Sequence, residues 1–294
     1  SYETNDYEAE TNIELDLPEN RTMRENNDEE KTKQLKKLVT PFILRRNKKE
    51  VLTELPDKIE QNIILPFNDE EEKLYVANLA KANKELQELY DLEGSDKMQI
   101  LKLLTRLRQL CLEPRLVYDN IDQPSSKLKA CMELIKTMQE NKQKVLLFSS
   151  FTSVLDLIAE ECQKAGITYY MLTGSTNKED RRELVSRFQK DDTTVFLISL
   201  KAGGTGLNLT SAEAVIHFDP WWNVSAQNQA TDRAYRIGQK NNVQVFNLVM
   251  KDSVEEKIIE LQKRKKELAD MFVENNSGGL SQMSKEDILS LFTM

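Results

Sequence analysis

Apolar residues recur along this chain in short continuous runs and at helical spacing. The runs predict β-strands at 58–65, 145–148, 168–172, 194–199, 214–218 and 243–250. Helical spacing between them predicts helices at 153–165, 178–189 and 225–235. Strands that are apolar throughout and alternate with helices are typical of a parallel sheet covered on both faces. The predicted fold class is therefore α/β, doubly wound.

Further helices are predicted on either side of this alternating region. Two lie before it, at 68–90 with Asn68 or Asp69 as cap and at 98–110. A third begins at Ser125 or Ser126, a long one runs from a Ser253 cap to about residue 274, and a short one covers 284–292. The predicted organisation is a leader (1–31), a linker with the first strand (32–66), a helical insertion (67–124), the α/β lobe (125–252) and a closing helix with a tail (253–294).

Charge is distributed unevenly along the chain. The net charge is −8, but residues 1–30 alone hold eleven acidic and two basic residues, so the remainder is close to neutral. Residues 1–31 show no apolar pattern, which predicts a disordered or loosely attached leader. Residues 31–49 carry eight basic residues and no acid, a stripe that is either a phosphate-binding surface or a solvated helix face. The acidic total therefore does not exclude nucleic-acid binding.

The composition narrows the possible chemistry. Cys111, Cys131 and Cys162 share no metal-ligand spacing, and His217 is the sole histidine of the sequence. Zinc chemistry and histidine-based nucleophilic catalysis are thereby disfavoured, and no metal site is predicted. No apolar run reaches the length of a membrane span, and the acidic start does not resemble a signal peptide. We expect a cytoplasmic protein with reduced thiols and no membrane partner.

The loop after the strand at 194–199 is rich in glycine. Residues 199–209 read SLKAGGTGLNL, with three glycines in four positions and a cation at Lys201. Glycines allow backbone N–H groups to approach a phosphate closely, so this loop is either a phosphate cradle or simply a tight turn.

Two arginines follow at 233 and 236, within the predicted helix at 225–235 or just beyond it. A spacing of three places Arg233 and Arg236 on one helix face, with Asp232 able to orient one of them. Two guanidiniums that face a cleft can clamp a transferring phosphoryl group. The alternative interpretation of the two arginines is that they form ion pairs on a surface helix.

Both tryptophans of the chain lie at one strand end, in Asp219-Pro220-Trp221-Trp222-Asn223. Two adjacent residues in a loop rarely both point inward. One tryptophan is therefore expected in the core, and the other is available to a partner or a nucleic-acid backbone.

Two elements of phosphoryl-transfer enzymes are absent from the sequence. No glycine is followed by lysine, so there is no G-x-x-x-x-G-K-[ST] phosphate loop, and no acidic pair closes a buried strand to hold Mg²⁺. Because such enzymes need the phosphate cradle, the metal carboxylate and the cationic finger together, we expect this chain by itself not to hydrolyse ATP.

Six strings resemble, in order, landmarks of the C-terminal lobe of the Swi/Snf-type ATPases of helicase superfamily two. They are LVTPFILRRNKKEVLTELPDK from Leu38, LTRLRQLCLEPRLV from Leu104, KVLLFSSFTSVLDLI from Lys144, LTGSTNKEDRRELVSRFQ from Leu172, VFLISLKAGGTGLNLTSAEAVIHFDPWWN from Val195 and QATDRAYRIGQ from Gln229. The similarity covers residues 35–275, finds no counterpart for residues 1–30 and looks bacterial. Departures from the family pattern are Tyr235 for histidine, Val224 for proline, and Leu112-Glu113-Pro114 for Asn-His-Pro.

The resemblance implies a RecA-like lobe with helicase motifs IV, V and VI, and it implies site residues. Arg233 and Arg236 would be catalytic and would reach ATP bound on the other lobe. Nucleotide-binding positions would be Gln229, Asp232, Gly204, Gly206 and Asn208. DNA-binding positions would be Ser149, Gly174, Ser199, Lys201 and Trp222. ATP and Mg²⁺ would be held mainly by an N-terminal lobe absent from this chain, and the long helix from Ser253 would brace the lobes.

The function that the resemblance implies is half of an ATP-dependent translocase on double-stranded DNA, an ATP hydrolase of the chromatin-remodelling type. Its expected partners are duplex DNA, the N-terminal motor lobe and a DNA-bound protein target, and a bacterial member would associate with the nucleoid. One alternative is a nucleic-acid-binding or regulatory module without an ATPase role. Another is a helicase that unwinds DNA or acts on RNA. The paired arginines argue against a module without an ATPase role. The sequences DRAYRIGQ and DPWWN argue against a helicase that unwinds DNA or acts on RNA.

Overall fold

The apolar runs of the sequence form the strands of one sheet. The structure, a computed structural model, describes residues 11–14, 55–91, 97–202, 207–221, 224–264 and 284–294. Within these residues the sheet has seven strands. They are β1 (Thr11–Glu14), β2 (Lys58–Leu65), β3 (Val145–Ser149), β4 (Tyr169–Leu172), β5 (Val195–Ser199), β6 (Ala214–His217) and β7 (Val243–Met250). Every residue of β3, β5, β6 and β7 is buried, as expected of central strands in a parallel sheet.

The strand order has its switch point at β3, where later strands are added on the opposite side. The order is β1-β2-β7-β6-β3-β5-β4, and β3 pairs in parallel with β5 on one side and with β6 on the other. From β3 the chain passes to the edge strand β4, returns to β5 beside β3, and then crosses to β6 and β7 on the other side of β3. Such a switch point defines a doubly wound sheet, which confirms the predicted fold class, and it leaves a crevice at the carboxyl ends of the strands.

Eight α-helices accompany the sheet within the described residues. They are α1 (Asp69–Asp91), α2 (Lys97–Leu112), α3 (Ser126–Glu140), α4 (Thr152–Lys164), α5 (Lys178–Lys190), α6 (Val224–Thr231), α7 (Val254–Arg264) and α8 (Lys285–Leu291). Short 3₁₀ turns lie at Pro114–Leu116 and Leu200–Ala202.

Four of the helix starts carry side-chain caps, of which those at Asn68, Ser125 and Ser253 were predicted from the sequence. The side-chain oxygens of Asn68, Ser125, Ser253 and Ser284 accept hydrogen bonds from the backbone N–H groups of Glu71, Leu128, Glu255 and Asp287, at 2.8, 3.0, 3.1 and 3.1 Å. The Glu71 carboxylate also accepts from the Asn68 N–H at 3.1 Å, which completes a capping box. Each cap satisfies a backbone donor that the helix itself leaves unpaired.

The predicted leader contains a strand that the apolar pattern did not reveal. Thr11–Glu14 pairs in parallel with β2, from Thr11 opposite Gln61 to Glu14 opposite Ile64. These four residues therefore belong to the sheet and are not part of a disordered leader. Pairing at a sheet edge is made by backbone groups, so one isoleucine among polar residues is enough and leaves no apolar run in the sequence.

Several predicted features lie outside the described residues. They are the rest of the leader, the basic stripe at 31–49 and the part of the 253–274 helix beyond Arg264. Among the helices that are described, none is long and apolar enough to cross a membrane.

The chain packs as two compact units, each assembled from separated segments. The first comprises residues 1–64, 130–218 and 230–248, and the second comprises 65–129, 219–229 and 249–294. In the first unit α4 packs on β3, β4 and β5. His217 stacks on Phe148 with ring centroids 5.6 Å apart, and its Nε2 lies 3.0 Å from Thr231 Oγ1. Burial lowers the pKa of His217 to about 3, so the imidazole is neutral at physiological pH.

The second unit is organised around a buried ion pair. Here α1 packs on α2, α2 on α7, and α7 on α8. The Lys127 ammonium donates to both Glu255 carboxylate oxygens, at 2.7 and 2.8 Å, and both side chains are buried. Glu255 also accepts from the Met250 N–H at 2.9 Å. Burial raises the pKa of Glu255, and the Lys127 charge opposes that rise. One carboxylate thus joins the start of α3, the end of β7 and the start of α7.

We predict that removing one partner of this pair destabilises the chain much more than removing both. Lys127→Met leaves the Glu255 carboxylate buried without its cation, which should cost about 3–5 kcal/mol in the free energy of unfolding. The double variant Lys127→Met/Glu255→Leu removes both charges and should lie within about 1–2 kcal/mol of the wild type. Urea unfolding of the three proteins measures both values.

The matched control is Lys164→Met, because Lys164 pairs with Glu161 at the surface with 65% of its side chain exposed. That change should cost less than about 1 kcal/mol. Equal losses in the Lys127 single and double variants would show that the buried charge is not the source of the effect.

Candidate nucleotide and nucleic-acid site

Four predicted DNA-binding residues meet at the carboxyl edge of the sheet, in the first unit. Ser149 and Ser199 end β3 and β5 and are directly paired across them. Gly174 follows β4, whose last residue pairs with Ile198 of β5. A Cβ built on Gly174 would lie 3.8 Å from the Cβ of Lys201. The fold therefore brings three separate loops together beside the switch point, where α/β sheets bind their ligands.

The two serines shape these loops from within. Ser149 is fully buried, and its hydroxyl accepts from the Phe151 N–H at 3.1 Å. Ser199 is 3% exposed, and its hydroxyl accepts from the Ala202 N–H at 3.2 Å, which closes the 3₁₀ turn that carries Lys201. Lys201 and Gly174 are exposed at this edge. The buried serines support the loops that present these two residues.

The two predicted catalytic arginines do not lie on one helix face, which corrects that part of the sequence analysis. Helix α6 ends at Thr231, and both residues lie in the turns that follow it. The Arg233 carbonyl accepts from the Leu209 N–H at 3.0 Å, so it is used by another segment and not by a continuing helix. Gly238, with φ +102°, then turns the chain away, a conformation that favours glycine.

The turn that carries the arginines is nevertheless fastened to the end of the glycine-rich segment. Besides the bond to Leu209, the Arg236 Nη1 donates to the Leu207 carbonyl at 3.4 Å. Asn208, a predicted nucleotide-binding residue, lies between these two anchored residues and is exposed. The structure thus places Asn208, Arg233 and Arg236 together although 25 or more positions separate Asn208 from the arginines in the sequence.

The two arginines differ in their surroundings. Arg233 is 9% exposed, and burial together with the positive charge of Arg181 lowers its pKa to about 10. It remains a cation at neutral pH, but one that has lost most of its water. Arg236 is exposed. A desolvated guanidinium interacts more strongly with a phosphoryl group than a hydrated one does.

Of the remaining predicted site residues, two are exposed and three lie outside the residues that the structure describes. Gln229 on α6 and Asp232 in the turn are both exposed. Gly204, Gly206 and Trp222 lie outside the residues that the structure describes. Their assigned roles stay predictions from the resemblance.

Two residues near the arginines were missed by sequence reasoning. Gln239 is buried, and its amide donates to the carbonyls of Ala212 and Ala234, at 2.8 and 2.9 Å, which holds the arginine turn against the segment before β6. Arg181, in the first turn of α5, is the charge that acts on Arg233. A glutamine and a helix arginine carry no distinctive pattern in one sequence, so nothing in it marks their proximity to this turn.

The segment after β6 is anchored within the second unit. Asp219 is fully buried, and Arg108 of α2 donates to it at 3.2 Å. Trp221 is 3% exposed, and its backbone N–H donates to the Gln227 side chain at 3.4 Å. Trp221 is therefore the core tryptophan that the sequence analysis expected at one of the two positions.

The described residues were searched for clusters of metal-ligating side chains. No group of three or more His, Cys, Asp or Glu side chains there could hold a metal ion.

Comparison with protein-family models identifies the class of protein that this fold and site belong to. The model for the helicase conserved C-terminal domain matches residues 126–238, and the model for the SNF2-related domain matches residues 3–116. The second match begins inside the acidic leader, for which the sequence analysis found no counterpart. That segment is thus part of the SNF2-related match, in agreement with the strand at Thr11–Glu14.

Individual relatives agree with these matches. An ATP-dependent helicase of Mycoplasma pneumoniae is 38% identical over 270 residues, covering 90% of this chain and 26% of that protein. The SWI2/SNF2 ATPase core of Sulfolobus solfataricus, solved in complex with double-stranded DNA, has a TM-score of 0.69 at 32% identity, covering 88% of this chain and 55% of that one. The C-terminal part of the Fun30 ATPase domain has a TM-score of 0.67 at 26% identity, covering 81% of this chain and 99% of that one.

The chain belongs to the Swi/Snf-type family of helicase superfamily two, and its sheet is the RecA-like sheet of that family's ATPases. It spans 26–30% of the length of the bacterial relatives from Mycoplasma and Bacillus that it matches.

We predict that the two tryptophans respond differently to truncation. Trp221→Ala removes a buried aromatic side chain and should lower the free energy of unfolding by about 3–5 kcal/mol. Trp222→Ala, at the position assigned to DNA, should leave it nearly unchanged, and thermal unfolding compares the two. A large loss for Trp222→Ala with a tolerated Trp221→Ala would mean that the two roles are reversed.

Proposed function

We propose that this chain is the C-terminal motor lobe of an ATP-dependent translocase on double-stranded DNA. The observation that carries the proposal is the junction between the Leu207–Leu209 segment and the arginine turn. Because Leu209 bonds to Arg233 and Arg236 bonds to Leu207, a movement of either segment moves the other. Such a connection can link phosphate contacts by the arginines to a DNA-facing loop, as a motor requires.

In this proposal the arginines stabilise charge that develops on the transferred phosphoryl group. Arg233 provides a fixed cation with little water around it, and Arg236 provides an exposed cation from the same turn. Preorganised cations of this kind lower the barrier because they need no reorganisation at the moment of reaction. Gln229 and Asp232 would orient them, and Gly204, Gly206 and Asn208 would contact the nucleotide.

The phosphate cradle and the Mg²⁺ ligands would come from an N-terminal lobe of the same polypeptide. The relatives are more than three times as long as this chain, which leaves room for such a lobe in proteins of this family. Without it, this chain should not turn over ATP. The proposed setting is the cytoplasm, at the nucleoid in a bacterium, with a DNA-bound protein as the target of translocation.

DNA would bind at the carboxyl edge of the sheet. Lys201 and the backbone around Gly174 form the exposed part of that edge, while Ser149 and Ser199 support the loops. The archaeal SWI2/SNF2 core bound to duplex DNA supports duplex DNA as the ligand. Trp222 would add a contact to the duplex. Contacts from a lysine and from backbone N–H groups reach phosphates, so the binding should not depend on sequence.

A nucleic-acid-binding module without an ATPase role is less well supported. Burying the Arg233 guanidinium costs free energy. The lowered pKa of Arg233 reflects this cost. DNA phosphates are reached as well by exposed cations, so a pure binding module gains nothing from a buried one. A buried cation is useful where a phosphoryl group enters a closed cleft.

We predict that Arg236→Ala in the two-lobed polypeptide removes most DNA-stimulated ATP hydrolysis, because an arginine finger contributes about 10³-fold or more to the rate. Folding and DNA binding should persist, since Arg236 is exposed. The control is Arg187→Ala, whose side chain is 60% exposed and pairs with Glu183 on the surface of α5. Steady-state ATPase assays measure both, and activity of Arg236→Ala within a few-fold of wild type contradicts the proposed function.

We also predict that DNA binding is sensitive to salt and indifferent to sequence. Lys201→Ala should weaken binding to every duplex alike and reduce the slope of log K against log salt by about 1. Titrations of several duplexes at three salt concentrations test this, with Lys164→Ala as the exposed-lysine control. A strong preference for one duplex at fixed salt would contradict the assignment.

A further inference from the structure

Ile237 is the most exposed large apolar side chain among the residues that the structure describes. It is 90% exposed, whereas the other exposed side chains of this kind lie between 36% and 62%. Such exposure costs free energy, because the apolar surface stays in contact with water. Single exposed apolar residues are common on protein surfaces, so the argument for a role depends on where Ile237 lies and how firmly it is held.

A tight turn places Ile237 at its corner. The Gln239 N–H donates to the Arg236 carbonyl at 2.9 Å, which closes a β-turn with Ile237 and Gly238 at its centre. Gly238 has φ +102°, whereas Ile237 does not adopt a positive φ, and this is the pattern of a type II turn. The backbone therefore presents an isoleucine to solvent directly beside the second predicted catalytic arginine.

Both ends of this turn are fixed to the first unit. The Arg236 Nη1 donates to the Leu207 carbonyl at 3.4 Å, and the Gln239 amide donates to the carbonyls of Ala212 and Ala234 at 2.8 and 2.9 Å. The backbone on either side of Ile237 is thus held before any partner arrives. A preorganised apolar side chain loses little conformational entropy on binding, so most of the free energy gained by burying it stabilises the contact.

The surface that fits Ile237 is that of the opposite motor lobe. Under the proposed function Arg236 reaches a phosphoryl group held on that lobe, and the Cα of Ile237 follows that of Arg236 at about 3.8 Å. A cleft that closes around Arg236 therefore also brings Ile237 against the same lobe. DNA fits less well, because phosphates are bound by cations and N–H groups and an isoleucine side chain offers neither.

We propose that Ile237 docks into an apolar recess of the N-terminal motor lobe when ATP closes the cleft. The inference rests on the proposed function and adds an apolar contact to the two arginines. The docked side chain holds the arginine turn against the other lobe while the phosphoryl group is transferred. Burial of one isoleucine side chain favours the closed state by a factor of about ten or more.

The first test measures ATP turnover by the two-lobed polypeptide with saturating DNA. Ile237→Gln replaces the apolar surface with a neutral amide and should lower kcat/KM for ATP by about tenfold. Ile237→Val keeps an apolar side chain and should stay within about threefold of the wild type. The matched control is Met98→Gln, which changes a side chain of α2 that is 50% exposed and should behave as the wild type.

The second test detects the docking itself with a fluorescent reporter. Ile237→Cys provides an exposed thiol for an environment-sensitive dye, whereas Cys111, Cys131 and Cys162 are buried. A non-hydrolysable ATP analogue should shift the emission toward that of an apolar environment in the two-lobed polypeptide. The same analogue should leave the emission of the labelled 294-residue chain unchanged. Wild type treated with the same dye corrects for any thiol of the other lobe.

Thermal unfolding of the 294-residue chain separates docking from a role in the fold. Ile237→Gln should leave the melting temperature unchanged, because the side chain is already 90% exposed. A lowered melting temperature without a dye response would assign Ile237 to the fold and overturn the inference. Weaker DNA binding by Ile237→Gln with normal ATP kinetics would assign Ile237 to DNA instead.

Two further outcomes identify other causes. If light scattering shows that wild type self-associates and Ile237→Gln does not, the residue serves a contact between copies of the chain and the inference is wrong. If Arg236→Ala is inactive while Ile237→Gln is normal and the dye does not respond, the inference fails alone. An active Arg236→Ala removes the proposed function itself.

Discussion

The second unit depends on the buried contact between Lys127 and Glu255. Two full charges are removed from water there, and the arrangement is tolerable only because both carboxylate oxygens meet the ammonium and one of them also meets the Met250 N–H. The geometry leaves little freedom to the three segments that contribute. The start of α3, the end of β7 and the start of α7 are therefore fixed to one another by a single carboxylate.

A second charge pair extends this control to the tryptophan segment. Arg108 reaches from α2 to the buried Asp219, two residues before the buried Trp221. The negative charge of Asp219 adds to the rise in the pKa of Glu255. In the proposed motor, the loop with the DNA-facing Trp222 thus starts from a rigid base, and the helices of the insertion supply that base.

Apolar patterning predicted the central sheet well, since strands buried on both faces must be aliphatic along their whole length. Three helix caps were predicted for an equally local reason, because a cap is made by residues two or three positions apart. Apolar patterning failed at Thr11–Glu14, where pairing depends on a free sheet edge. It also failed after Thr231, where the Arg233 carbonyl bonds to Leu209, a residue more than twenty positions earlier. Both failures involve partners that are distant in sequence.

The sequence by itself determined the fold class and most element boundaries, and its resemblance to the Swi/Snf-type ATPases led to the prediction that Arg233 and Arg236 are the catalytic pair. Only the tertiary structure showed that the segments predicted as an insertion and a closing helix join in one unit, with the tryptophan segment between them in sequence. Only it showed that Lys127 and Glu255 are buried together. The physical reason is that burial and electrostatic pairing depend on which residues meet in space, and lysine, glutamate and arginine look like surface residues in any linear pattern.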